Sequence, residues 1–170
     1  MAVASSNPFP SVLFEEGAAP STPAAGFWRA YFKTDGMYVI DDAGVESGPI
    51  GAAAPAEIGA ACSDESTAID ATGTKVTFRM PYAMTVTGVR ATLTTADTTG
   101  ITVDINEAGT SILSTKLTID ATEKTSTTAA TAAVISDSAL ADDAEVTVDV
   151  DVVGDGTATG LKIWILGTRA

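Results

Sequence analysis

Carboxylates are the only reactive side chains this chain carries in number: 22 Asp and Glu, against one cysteine and no histidine. A Ser-His-Asp triad needs an imidazole to take the nucleophile's proton, so that mechanism is excluded. Histidine-ligated zinc and cysteine clusters are excluded for the same want of ligands. Cys62 has no imidazole to activate it and no partner for an intrachain disulfide, so it reads as an inert thiol. No glycine-rich phosphate loop or dinucleotide fingerprint is present. Glycan hydrolysis needs only two carboxylates and stays open on composition.

The acids nevertheless sit where acids are ordinarily solvated. Asp149 and Asp151 fall on the polar side of an alternating run. Asp142, Asp143 and Glu145 precede that run, in a loop with oxygens for Ca²⁺ but without the EF-hand spacing. Asp41-Asp42 is turn chemistry. Trp28 and Trp164 are the remaining candidates, since an exposed indole can stack on a sugar. Both lie among apolar neighbours, which favours a core or subunit-contact role. The expectation is a protein with no enzymatic activity, no metal and no cofactor, with glycan depolymerisation as the minor alternative.

The stretch Glu145 to Gly167 positions these residues. Val146, Val148, Val150 and Val152 alternate with Thr147, Asp149 and Asp151. A period of two is the pleat of a half-buried strand. Gly154-Asp155-Gly156 is a turn, because glycine tolerates positive φ. The run Leu161 to Leu166 returns, with Leu161, Ile163 and Ile165 inward and Trp164 and Leu166 on the other side. That strand is apolar on both faces, so its second face is expected to be covered by another copy of the chain.

The rest of the 170 residues reads in four pieces. Residues 1–25 are rich in proline (Pro8, Pro10, Pro20, Pro23), which fits neither helix nor central strand. Phe9, Val12, Leu13 and Phe14 make this piece an extended docking arm. Residues 26–47 read as a small β-hairpin or meander: Phe27 to Lys33, a turn at Thr34-Asp35-Gly36, Met37 to Ile40, and a short strand at Val45 to Ser47. Residues 48–73 are Gly/Ala/Pro-rich and read as a linker with one helical turn near 56–61. Residues 74–170 carry about eight short strands: 75–80, 85–95 with Gly88 at a bulge or a close contact, 101–106, 110–113, 116–119, 132–135, and the two long strands at the end. Ser136 to Asp143 reads as a loop. No stretch holds a 3.6-residue apolar period. The fold class expected is all-β, a jelly-roll-like antiparallel β-sandwich preceded by an extended N-terminal arm and a small β-hairpin.

The formal net charge of −13 repels phosphates and anionic lipid, so no nucleic-acid partner is expected. Met1-Ala2-Val3-Ala4-Ser5 has no basic or long apolar segment. Neither a signal peptide nor membrane insertion is expected, and synthesis in a cytoplasm is.

Two stretches resemble a known family. Gly17 to Gly26, with Tyr31-Phe32-Lys33-Thr34-Asp35-Gly36-Met37-Tyr38 and Asp41-Asp42-Ala43-Gly44-Val45-Glu46, is similar to a segment near the N-terminus of tailed-bacteriophage virion proteins, often tail-fibre or minor tail proteins. The second runs from Met80-Pro81-Tyr82-Ala83 and Thr87-Gly88-Val89-Arg90-Ala91 through Val103-Asp104-Ile105-Asn106. It continues through Ser111 to Ser114 and Ile119 to Ser126 to Gly160-Leu161-Lys162, and resembles a β-rich domain of phage structural proteins. The resemblance implies a homotrimeric knob or short fibre on the virion. The arm residues Phe9, Val12, Leu13 and Phe14 would then dock on another virion protein of the tail or capsid. Phe27, Trp28, Phe32, Trp164 and Leu166 would form the subunit interface. Fibres usually carry a long shaft, and this chain has only the short 48–73 linker. A spike, a tail knob or a head-decorating cement protein is therefore expected, with host surface glycan as an outside partner. The number three comes from the resemblance alone; the physics asks only for closure.

Overall fold

β-Branched residues at alternate positions build the long strands of this chain, and hydrogen-bonded turns join them. The computed structural model describes residues 17–51 and 53–170. The chain divides into two compact units, one ending at Ala52 and one running from Ala53 to Ala170. Phe9, Val12, Leu13 and Phe14 lie outside the described residues.

The first unit is an antiparallel meander of β1 (Arg29–Lys33), β2 (Gly36–Ile40) and β3 (Glu46–Ile50). Lys33 pairs with Gly36, so Thr34 and Asp35 form a two-residue turn. Asp41 makes the second turn by accepting from the N–H groups of Ala43 at 3.0 Å and Val45 at 2.7 Å. The third strand reaches Ile50, further than the expected Val45–Ser47, because Met37 pairs with Ile50 beyond a register shift. Tyr38 and Ile40 are buried. Lys33 Nζ lies 4.2 Å from the Tyr38 ring centroid and 2.5 Å from Glu46.

The second unit is a two-sheet β-sandwich. One sheet is formed by β4 (Pro55–Ala61), β6 (Met84–Thr92), β12 (Ala139–Leu140) and β14 (Lys162–Arg169), in the order β12-β6-β14-β4. The other is formed by β5 (Gly73–Arg79), β7 (Ile101–Glu107), β10 (Leu117–Ile119) and β13 (Glu145–Val152), in the order β10-β7-β13-β5. The first of these eight strands pairs with the last, and the second with the one before the last. All pairs are antiparallel. That wiring is the jelly roll. Three short strands, β8 (Thr110–Ser111), β9 (Leu113–Thr115) and β11 (Val134–Ile135), make small side pairings.

Alternation fills the core between the sheets. Val146, Val148 and Val150 of β13, Ile163 and Ile165 of β14, and Val103 and Ile105 of β7 have no exposed surface. Each such side chain contributes roughly 1.5–3 kcal/mol of burial. Gly167 is required by close approach, since a Cβ there would stand 2.0 Å from the Thr85 carbonyl oxygen.

Three expectations from the sequence are corrected. Residues 55–61 are a strand, not part of a linker with a helical turn. Ala56, Ile58 and Ala60 pack inward while Pro55, Glu57, Gly59 and Ala61 point out. Proline is tolerated at the start of this edge strand, where no ladder donor is lost. Second, Val152 does not continue the inner face of β13. The register slips between Val150 and Val152, and Val152 is 51% exposed. Third, the predicted strands at 110–113 and 132–135 are only side pairings, and Ala139–Leu140 in the expected loop supplies a sandwich strand. The bulge expected at Gly88 is present: Leu166 pairs with Gly88 and Gly167 with Val86, leaving Thr87 unpaired.

Candidate functional site: a groove on the outer face of the Trp164 sheet

The outward residues of β4, β14 and β6 stand in cross-strand rows. Gly59, Trp164 and Arg90 share one row; Glu57, Leu166 and Gly88 share the next; Ala61, Lys162 and Thr92 share a third. Side chains directly opposite on one face are contact neighbours. Trp164 has room because its neighbour is glycine: a Cβ on Gly59 would meet the indole Nε1 at 3.3 Å.

A wall rises at the edge of this face. β12 covers only Met84 and Thr85 of β6. Further along, the 3₁₀ turn Ser126–Thr128 takes over that edge, with the Ser126 hydroxyl accepting from Ala91 N–H at 2.9 Å. Thr125 caps the turn by accepting from Thr127 N–H at 3.2 Å, and it bridges to Thr92. Thr125 and Thr127 thus stand beside Arg90 and Trp164.

The result is a groove of about 400 Å³, floored by Trp164 and Leu166 and bounded by Glu57, Arg90, Thr92, Thr125 and Thr127. A second depression of about 520 Å³ meets it at Arg90 and Thr127 and runs past Gly88 to Val134. Lys162 is engaged outside the groove by Glu65, whose carboxyl that contact holds below the usual range. Among the described residues, neither Arg90 nor Glu57 has an ion pair or a side-chain hydrogen bond.

Of the residues expected at a subunit interface, the structure brings Trp164 and Leu166 together. Both are half-buried. The premise that they would lie in water without a second copy therefore does not hold, because their own sheet and the 125–127 wall cover much of them. Phe27, Trp28 and Phe32 belong to the N-terminal unit. Phe27 and Trp28 precede β1 instead of lying within it, and are 67% and 64% exposed; Phe32 is half-buried.

The carboxylates are less solvated than their alternation implies. Asp104 is buried, accepts from the Ser111 hydroxyl at 2.6 Å and meets Lys116 Nζ at 3.0 Å. Lys116 also reaches Asp151 at 2.6 Å, and these two carboxylates raise its pKa, Asp151 the more. Asn106 donates to Asp149 at 2.9 Å. Glu145 lies 3.6 Å from Arg79, which also donates to the Asp143 carbonyl at 2.9 Å. Among the described residues Asp97 is the most enclosed acid, 1% exposed. Its carboxylate accepts from the N–H groups of Thr99 and Gly100, each at 2.8 Å, and of Asp155 at 3.0 Å, pinning the Gly154–Gly156 turn. Burial pushes this carboxyl up, but the hydrogen bonds from Asp155 and Thr99 outweigh it and hold it well below the ordinary range.

Sequence reasoning missed Arg90, Glu57 and the threonine wall. Glu57 lay in the supposed linker, and the wall is a loop whose place depends on the edge left open by the short β12. Comparison with family models, curated proteins and solved structures finds no match to this chain.

Proposed function

We propose that this chain is a non-enzymatic structural protein of a bacteriophage particle, a trimeric surface knob or short fibre held to the virion through its N-terminal segment and contributing to host attachment. Three things support the reading. The sequence stretches through Tyr31–Tyr38 and Met80–Ser126 resemble phage structural proteins. The jelly-roll wiring recurs in viral capsid and lectin domains, which is an analogy of fold. The observation that carries self-association is the adjacent pair Phe27 and Trp28, about two-thirds exposed at the entry to β1. Two neighbouring aromatics in water are costly, and cyclic packing covers them in every copy at once.

Sedimentation of the purified full chain tests this. The expected mass is about three times the 17.1 kDa chain. Changing both Phe27 and Trp28 to Asp is expected to give single chains with unaltered β-sheet circular dichroism. A wild-type chain sedimenting at its single-chain mass at micromolar concentration would overturn the self-association.

A further inference from the structure

We infer that the groove over Trp164 is a binding site for a neutral saccharide, with Trp164 as the stacking platform and Arg90 and Glu57 as the hydrogen-bonding pair. A sugar ring has an apolar C–H face and a rim of hydroxyls that each donate and accept. An indole suits the first, through its broad apolar face. A guanidinium, which only donates, and a carboxylate, which only accepts, together suit the second. Thr92 adds a hydroxyl that does both, and the Thr125 and Thr127 hydroxyls, bonded to each other at 2.9 Å, keep part of that capacity.

The charges narrow the class. Arg90 and Glu57 stand in neighbouring rows on either side of Trp164 and Leu166, and neither is engaged elsewhere among the described residues. An anionic ligand would gain from Arg90 but be repelled by Glu57 and by a chain of net charge −13. A cation would meet the reverse problem at Arg90. A neutral polyol satisfies both. The volume of about 400 Å³ falls within the range of small-molecule sites, roughly 300–1,000 Å³. The second depression, meeting the groove at Arg90 and Thr127, leaves room for further rings of a chain. A second copy of the protein is the competing occupant. It is disfavoured because Trp164 and Leu166 are already half-covered and the flanking charges would need an exact counter-pair to be desolvated.

The inference stands apart from the particle reading, since the groove belongs to the sandwich and asks nothing of Phe27 or Trp28. The test uses the full chain carrying Trp28→Phe, so that Trp164 is the only indole. Short neutral gluco-, galacto- and manno-oligosaccharides, and acidic counterparts, are titrated while indole emission is read. At least one neutral series is expected to saturate, with Kd of about millimolar or tighter. Trp164→Ala, read by saturation-transfer NMR, and Arg90→Ala are each expected to weaken binding about tenfold or more, whereas Trp164→Phe retains it. Arg90 is exposed, so its variant keeps the test alive if Trp164→Ala fails to fold. Three results would overturn the inference: no neutral series binding, binding that survives both alanine changes, or binding of acidic sugars alone. A fourth is Trp164 shielded from a soluble quencher until the protein is diluted, which would give the groove to a second copy. The trimer is judged separately by mass.

Discussion

Ile58 offers the sharpest test of the reassigned strand. In a linker, Glu57 and Ile58 would be equivalent, and either could be replaced at little cost. In β4 they point to opposite sides: Ile58 pairs with Ile165 and packs on the core, while Glu57 is exposed beside Leu166. A fully buried Ile→Ala change costs about 2–5 kcal/mol, and Ile58 is partly buried at a sheet edge, so about 1–2 kcal/mol is expected. For a unit of this size that lowers Tm by roughly 4–8 °C. Ile58→Asp is expected to cost more, about 3 kcal/mol, by placing a carboxylate against Ile165. Glu57→Ala should stay within about 0.5 kcal/mol of wild type. Differential scanning calorimetry of the full chain, with urea titration as a second measure, reads all three. If Ile58→Asp melts with the wild type, residues 55–61 are not part of the sandwich. If Glu57→Ala costs as much as Ile58→Ala, the two-residue alternation is wrong.

Other outcomes follow from single residues. Asp97→Ala is expected to cost about 3 kcal/mol, because it strands the N–H groups of Thr99, Gly100 and Asp155; a change in Tm under about 1 °C would contradict that role. Asp97 is held below its ordinary pKa in the fold, so its stabilisation is full above the unfolded value, about pH 4, and is lost as pH falls through the folded one. Asp64, lowered to about 2 chiefly by the Ser66 hydroxyl, has the same sign. Thermal melts should therefore be flat near neutrality and fall below about pH 4, with a shallower fall in Asp97→Asn. Burial pushes the Cys62 thiol up to about 11, so it should resist a thiol reagent at neutral pH until urea unfolds the sandwich; prompt native labelling would contradict its placement.

The legible part of the sequence was the part written in large branched residues. Val146, Val148 and Val150 against Thr147 and Asp149, and the return through Ile163 and Ile165, carry their period openly and are inner strands of the sandwich. The all-β class and the jelly roll followed from that pattern repeated. β4 was obscured because alanine and glycine occupy positions where β-branched residues usually advertise a strand; its partner β14, not its own propensity, makes it one. Val152 kept the period in sequence, and a bulge that no local signal marks turned it outward. The groove was half visible. Trp164 and Leu166 are legible in the sequence as the second face of the last strand. Arg90 and Glu57 reach that face only through the register of β6 and β4 with β14, which sets Arg90 beside Trp164 and Glu57 beside Leu166 from strands far away in the chain.

 Pairings so distant in the chain leave no local trace in the sequence.

Locating the chain on a purified virus particle decides whether it is the virion protein proposed above. Particles purified from an infected culture carrying this gene are labelled with an antibody raised against residues 53–170 and imaged by electron microscopy. Label is expected on the outer surface of intact particles, at sites of three-fold symmetry on the tail or head. Particles that assemble from the same culture without this chain, by imaging and by mass spectrometry of their proteins, would contradict it.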